Sequence, residues 1–242
     1  MPDEDLSPEP FERAVACVIP AKDEADRIAA TVDAVHKLVG VDLVVVVDDG
    51  STDGTTAAAE RAGAVVVRHE RNRGKAAAME TGAAAVAERD GARPRHLLFL
   101  DADLGDTAVE AAPLVEPVRG GAADMTIAVL PASLNTDGGG HGFVVRLSRR
   151  GVVRLAGFVP TQPLSGQRCL TRAAFDAARP LARGFGVETG LTIDLVRRGF
   201  RVVEVPVPFR HRVTGRDLGA QLHRGVQYVH VARALAVRWL PI

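Results

Sequence analysis

Apolar and polar positions in the first half of the chain alternate between two rhythms. Short unbroken apolar runs recur as "AVACVIP" (14–20), "DLVVVV" (42–47), "AVVVRHE" (64–70), "HLLFL" (96–100) and "ADMTIAVL" (123–130). These runs predict strands buried on both faces. The intervening segments carry helical spacing. In "AKDEADRIAATVDAVHKLVG" (21–40), Ile28, Val32, Val35 and Val39 form one stripe, with acids at the start and Gly40 at the end. "TTAAAERAG" (55–63), "GKAAAMETGAAAVAERDG" (74–91) and "TAVEAAPLVEPVRGG" (107–121) predict further helices. Strand and helix in alternation predict an α/β fold with a mainly parallel, Rossmann-like sheet covered by helices.

The second half is less regular. "PASLNTDGGGHG" (131–142) predicts a glycine-rich loop, and "FVVRLSRRGVVRLAGF" (143–158) a basic amphipathic helix. "QPLSGQRCLTRAAF" (162–175) predicts a turn leading into a short helix, and "VETGLTIDLVRRGF" (187–200) another helix. The prolines of "RVVEVPVPFRHR" (201–212) suit a strand at a sheet edge. The last segment, "DLGAQLHRGVQYVHVARALAVRWL" (217–240), predicts a helix with Leu218, Leu222, Val226, Val229 and Ala236 on one side. Residues 1–12, acidic and proline-rich, predict a disordered tail. Residues 13–242 predict one domain, with 13–130 as one half and 131–242, including the C-terminal helix, as the other.

Composition narrows the function classes. Lys plus Arg equals Asp plus Glu at 30 each and aromatics are 4% of 242 residues, which argues against nucleic acid as a partner. Cys17 and Cys169 match no zinc spacing and no disulfide framework, so a cytoplasmic location is expected. No apolar run approaches the roughly 20 residues that span a bilayer.

In parallel sheets, ligands lie at the carboxyl ends of the strands. Here those ends carry Pro20-Ala21-Lys22, Asp48-Asp49-Gly50 and Asp101-Ala102-Asp103. Asp101 and Asp103, two apart at a strand end, form an oxygen-rich site suited to Mg²⁺ or Mn²⁺, with phosphates completing the shell. Taken alone, such a pair is as often a solvated strand end or a helix cap. Asp48 or Asp49 can accept from a base N–H or a ribose hydroxyl, while Ser51 and Asp53 can cap the next helix. Rival phosphate chemistries fail on residues. An aspartyl phosphatase needs Thr or Val where Gly105 stands. A phosphate loop fails because Ala76 follows Gly74-Lys75 and His occupies position 69.

"CVIPAKDEADRI", "VVVVDDGSTDGT", "RNRGKAAAMETG" and "LLFLDADL", in that order, resemble family-two-like glycosyltransferases of the GT-A fold. The resemblance covers residues 14–130 and implies a nucleoside diphosphate sugar as donor, UDP-glucose in the family default. It places Pro20, Ala21 and Glu24 near base and ribose and Asp49 on the base. It brings Lys75 to the base or diphosphate, and Asp101, Ala102 and Asp103 to the sugar, the ribose and the metal. Asp103 is the stronger metal-ligand candidate.

The second half resembles glucosyl-3-phosphoglycerate synthases and related retaining transferases. That resemblance implies a metal ligand at His211, a turn facing the sugar at Leu164, Ser165 and Gly166, and a catalytic acid at Glu188. Asp101 is the second catalytic candidate. His141, Glu188 and Thr189 are expected at a small phosphorylated or hydroxylated acceptor. The stretch "GGGHGFVV" departs from that family, with His141 after the glycines and no Thr, where the family carries an Arg and a Thr that hold the acceptor phosphate. The layout of 149–172 equally resembles polyprenyl-phosphate sugar transferases, for which a basic segment at the inner membrane face is expected. A non-catalytic nucleotide-sugar-binding subunit is the reading from outside enzymology, and a homodimer through the edge strand or C-terminal helix stays open.

Overall fold

The structure, a computed structural model, describes residues 14–130, 142–209 and 218–239, with side chains of the last helix described from Gly225 onward. The expected tail, His141 and His211 lie outside the described residues.

Five apolar runs form the expected strands: β1 (Val15–Ala21), β2 (Val41–Asp48), β3 (Val65–Arg68), β4 (His96–Phe99) and β5 (Met125–Val129). Between them lie α1 (Ile28–Val35), α2 (Thr55–Arg61), α3 (Lys75–Ala87) and α4 (Ala112–Arg119). The stretch before α4, Gly105–Ala111, winds as a 3₁₀ helix, and Pro113 near the start of α4 marks the change to α geometry. Helix α1 stops at Val35, earlier than the valine stripe implies, and Val39 is exposed in the turn that follows.

The second half supplies α5 (Gly142–Ala156), β6 (Arg168–Leu170), α6 (Arg172–Ala177), α7 (Val187–Arg197), β7 (Val202–Pro206) and α8 (Leu218–Arg238). Seven strands make one sheet in the order β3-β2-β1-β4-β6-β5-β7. β6 runs antiparallel to both neighbours, and all other pairings are parallel. The chain pattern shows a turn where β6 stands, because three residues with an arginine among them carry neither alternation nor an apolar run. β7 takes the edge that its prolines require.

Helices cover both sheet faces. Alternate β1 residues Val15, Cys17 and Ile19 face the cluster under α1 and α4, while Ala16 and Val18 face the cluster under α3 and α7. Helix α3 lies close to the sheet because of Gly82: a Cβ there would stand 2.3 Å from Val18 Cγ1. A third cluster, Val144, Val152, Ile193, Val231 and Leu235, joins α5, α7 and α8. The buried stripe of α8 is therefore Val231, Ala234 and Leu235. Of the stripe expected from spacing, the described members Val226, Val229 and Ala236 are exposed. Helix α8 carries apolar side chains on more than one side, so its pattern fixes no unique inward face, and packing against Gly151 selects one: Leu235 sits where a Cβ at 151 would be.

Successive strands run outward from β1 to β2 and β3, and then the chain crosses to β4 on the other side of β1. This is the topological switch point where α/β sheets bind ligands.

Candidate active site

The carboxyl edge is organised first by local bonds. Asp48 is buried at the end of β2, where its Oδ1 accepts from the Ser51 amide at 2.8 Å and its Oδ2 from the Thr56 hydroxyl. Burial alone would raise its pKa, but these bonds and the Arg68 guanidinium outweigh it and hold the carboxyl below the usual carboxylate range. Asp49 accepts from the amides of Arg73 and Gly74, both at 2.7 Å, and pairs with His69 Nδ1 at 2.7 Å. His69 Nε2 meets Thr81 Oγ1 at 3.0 Å. Asp49 thus fixes the turn that starts α3, and its carboxylate retains about one of its four lone-pair sites for a ligand. Ser51 accepts from the Asp23 amide, and Asp53 accepts from Thr55 and Ala25. The two therefore tie the loop after β1 to the start of α2, and of the pair expected to cap α2 only Asp53 bonds one of its amides.

On the β1 side, the Ala21 carbonyl accepts from the Asp49 amide, and the Glu24 amide donates to Thr55. Pro20, Ala21 and Glu24 therefore line the same edge as Asp49. After β4, the Thr31 hydroxyl donates to the Ala102 carbonyl and accepts from the Gly105 amide, both at 2.8 Å. Arg27 donates to the Asp103 carbonyl at 3.1 Å. These bonds pin the 101–105 segment to α1.

A cluster of charged and polar side chains sits between β4 and the second half. Lys75, first residue of α3, places Nζ 2.7 Å from Asp101 Oδ1 and 3.3 Å from Glu188 Oε1. Burial would lower the Lys75 pKa, but the two carboxylates overcome it and hold the ammonium well above the lysine range. The second Asp101 oxygen accepts from Gln167 Nε2. Glu188 lies in the first turn of α7, where the helix dipole favours an acid. Gly166 allows this approach, since a Cβ there would stand 2.2 Å from Lys75 Nζ and 3.2 Å from Asp101 Oδ1. The expected neighbourhood of Lys75, Asp101, Gly166 and Glu188 is thus one cluster.

Two residues of this cluster do not stand out in the sequence. Gln167 joins Asp101 to the Ser165 hydroxyl. Arg168, wholly buried, donates to the Ser165 carbonyl at 2.8 Å, the Pro163 carbonyl at 3.3 Å and the Thr192 hydroxyl at 2.9 Å. Burial pushes its guanidinium down to about 10 despite the pull of Glu188 and Glu204, so it stays charged at neutral pH. It clamps the 163–165 turn to α7. The one signal for both is a pair of polar residues inside the otherwise apolar, small-residue run "LSGQRCL".

Thr189 is displaced from its expected role. It is fully buried, and its hydroxyl meets Ser148 Oγ of α5 at 2.7 Å, so it joins helices and does not face an acceptor. Leu164 leans into the third cluster, so its side chain supports the turn. Among the described residues no group of three or more His, Cys, Asp and Glu side chains comes together as a metal cage, and no helix is long and apolar enough to cross a membrane.

A mainly parallel sheet with acids gathered at its switch point is an α/β architecture whose carboxyl edge receives nucleotide-type ligands. Residues 16–142 match the family model for glycosyl transferase family 2, and the chain belongs to that family. It is 32% identical to glycosyltransferase AglJ of Haloferax volcanii over 216 residues, covering 86% of this chain and 67% of that protein. It is 33% identical to a glucosyl-3-phosphoglycerate synthase of Mycolicibacterium paratuberculosis over 209 residues, covering 77% of this chain and 61% of that one. The chain therefore spans about three fifths to two thirds of the length of these relatives. Among solved structures, glucosyl-3-phosphoglycerate synthase from Mycobacterium tuberculosis in complex with Mn²⁺, UDP-glucose and phosphoglyceric acid superposes with a TM-score of 0.73. That match has 29% identity and covers 95% of this chain and 81% of that chain. The sheet is thus of the GT-A type.

Proposed function

We propose that the chain transfers a hexose, glucose in the first instance, from a uridine diphosphate sugar to the hydroxyl of a small acceptor. The observation that carries this reading is the meeting of Lys75, Asp101, Gln167 and Glu188, brought from four separate segments to the switch-point edge. The mycobacterial structure that this chain resembles is described with UDP-glucose, Mn²⁺ and phosphoglyceric acid together.

Pro20, Ala21, Glu24 and the remaining acceptor site of Asp49 would receive base and ribose. Asp101 and the 164–166 turn would orient the sugar, and Lys75 would balance charge on the diphosphate. The donor set at the end of β4 is carboxylate oxygen, which fits a hard divalent cation. Asp103, the stronger ligand candidate by the family resemblance, is the residue we assign to hold it, and His211 is the second. Mg²⁺ or Mn²⁺ bound there would supply Lewis-acid neutralisation of the leaving diphosphate.

In transfer, the bond from the sugar anomeric carbon to the diphosphate oxygen breaks and a bond to the acceptor oxygen forms. The acceptor proton leaves to the departing phosphate oxygen if configuration is retained, or to Glu188 if it is inverted. Melting the protein against a panel of nucleoside diphosphate sugars, with and without Mn²⁺, tests the donor; UDP release with phosphoglycerate as acceptor tests the transfer. A metal-enhanced shift with uridine donors is expected, with metal-dependent UDP release when a small phosphorylated or hydroxylated acceptor is supplied, phosphoglycerate being one member of the acceptor panel. Donor binding with no hydrolysis or transfer would identify a non-catalytic binding subunit and overturn the reading.

A further inference from the structure

Helix α8 is apolar on two faces. Val231, Ala234 and Leu235 are buried against α5 and α7. On the outward side, Val229, Val237 and Trp239 keep 61%, 67% and 58% of their surface, and Val226 and Tyr228 are exposed as well. The solvent side of a surface helix normally carries polar residues. Helix α5, packed beside it, also exposes Phe143 and Val153. The Arg154 guanidinium stacks 4.9 Å from the centre of the Trp239 ring, which joins the two outward faces, and Arg146 stacks 4.5 Å from the Phe143 ring.

Charge on these helices is one-sided. The chain as a whole balances 30 basic against 30 acidic residues, yet neither α5 nor α8 contains an Asp or Glu. Exposed Arg146, Arg150, Arg154 and Arg233 are interleaved with the apolar side chains.

From this arrangement we propose that the α5–α8 face docks on an anionic lipid surface. Exposed valines and an aromatic pair enter the headgroup boundary while the arginines meet lipid phosphates. Trp and Tyr suit that boundary because each pairs an apolar ring with a polar tip. The charge decides against a second copy of the chain. A two-fold contact brings the same patch from both partners together, so two sets of arginines would meet with no acid from either helix to pair them. A bilayer with acidic headgroups complements them.

This surface lies outside the transfer cluster, so its test is independent of the proposed activity. The full chain is floated with vesicles of neutral phosphatidylcholine and with vesicles containing phosphatidylglycerol. Flotation with the anionic vesicles only, reversed by high salt, is expected. The double variants Arg150→Glu with Arg233→Glu, and Val229→Glu with Val237→Glu, should each weaken it roughly tenfold or more. All four sites are exposed, so the melting temperature and donor-induced shift should match the wild type. If the valine pair melts early, the arginine pair carries the test alone. Wild-type protein that stays at the bottom of the gradient with anionic vesicles would overturn the proposal. So would a dimer that the valine pair converts to a monomer while flotation is unchanged.

Discussion

Two buried strands end on paired acids, and the two pairs are used in opposite ways. Asp48 and Asp49 close β2 at 1% and 6% exposure, and their oxygens are taken by amides, hydroxyls and a histidine from residues 51–74. Asp101, after β4, keeps a third of its side-chain surface and is held by the side chains of Lys75 and Gln167, 26 and 66 residues away. A carboxylate whose oxygens are mostly taken by its own chain's amides serves the scaffold first, and Asp49 keeps about one acceptor site beyond that role. A carboxylate held by side chains from distant segments, beside a lysine and still a third exposed, keeps surface for a ligand. The electrostatic cost of ending apolar strands on acids is thus met in two ways, and only the second leaves reactive groups at the surface.

The largest expected effect tests the reactive side of this contrast. Lys75→Ala removes the cation between Asp101 and Glu188 and should lower turnover by about 10²–10³-fold, the usual loss for a charge-stabilising group. UDP release with a uridine donor measures it. Asp101→Asn should act in the same direction with little change in melting temperature, since Asp101 is partly solvated. Turnover within about tenfold of wild type in Lys75→Ala would assign charge balance on the diphosphate to other groups.

Next in size is the scaffold side. Asp49→Ala leaves the Arg73 and Gly74 amides and buried His69 without their acceptor, at a cost of about 2–4 kcal/mol. Denaturant unfolding reads that cost directly. The contrast predicts that Asp49→Ala lowers stability more than Asp101→Asn does, while Asp101→Asn lowers turnover more at saturating donor. The reverse ordering would break it.

Arg168→Met comes third. It strips donors from the Ser165 and Pro163 carbonyls, costing about 1–3 kcal/mol, and loosens the turn that brings Gly166 and Gln167 to Asp101. Because Arg168 positions other groups, kcat should fall while KM for the donor changes little. Arg168→Lys should not rescue it, since a lysine cannot span two carbonyls and Thr192 as the planar fork does.

How much of this was legible in the chain differs between the two halves for a physical reason. β1 to β5 are unbroken apolar runs, and the residues at their ends read directly as an edge. Lys75, Asp101, Gly166 and Glu188 could be placed together only through the family resemblance, because their contacts join segments up to 113 residues apart. β6 was hidden because its buried arginine contradicts the apolar pattern. Its charge is satisfied by carbonyls that only the folded turn supplies. Thr189 was misplaced because a polar residue beside a candidate acid reads as part of a site, whereas here its hydroxyl is consumed by Ser148. The inward face of α8 differs from the spacing because apolar side chains stand on more than one side of it, and only the neighbouring helices break the tie.

The smallest expected effect sharpens the scaffold reading through pH. Burial raises the Asp48 pKa, but the Ser51 and Thr56 bonds and the Arg68 charge carry it below its ordinary value. A carboxyl depressed on folding binds fewer protons in the native state than in the unfolded one. It therefore contributes stability above its unfolded pKa of about 4, and that contribution is lost as pH falls through the lower folded value. Wild-type stability should be level near neutrality and decline below about pH 4. Asp23 and Asp53 are depressed too and add to the same decline. The difference between wild type and Asp48→Asn removes those shared contributions. That difference should be greatest at neutral pH and shrink in acid, because the protonated Asp48 carboxyl and the amide that replaces it are both neutral. A difference that stayed constant from neutral pH into acid would mean that Asp48 acts through shape alone, and the charge-assisted bonds to Ser51 and Thr56 would not be what holds the end of β2.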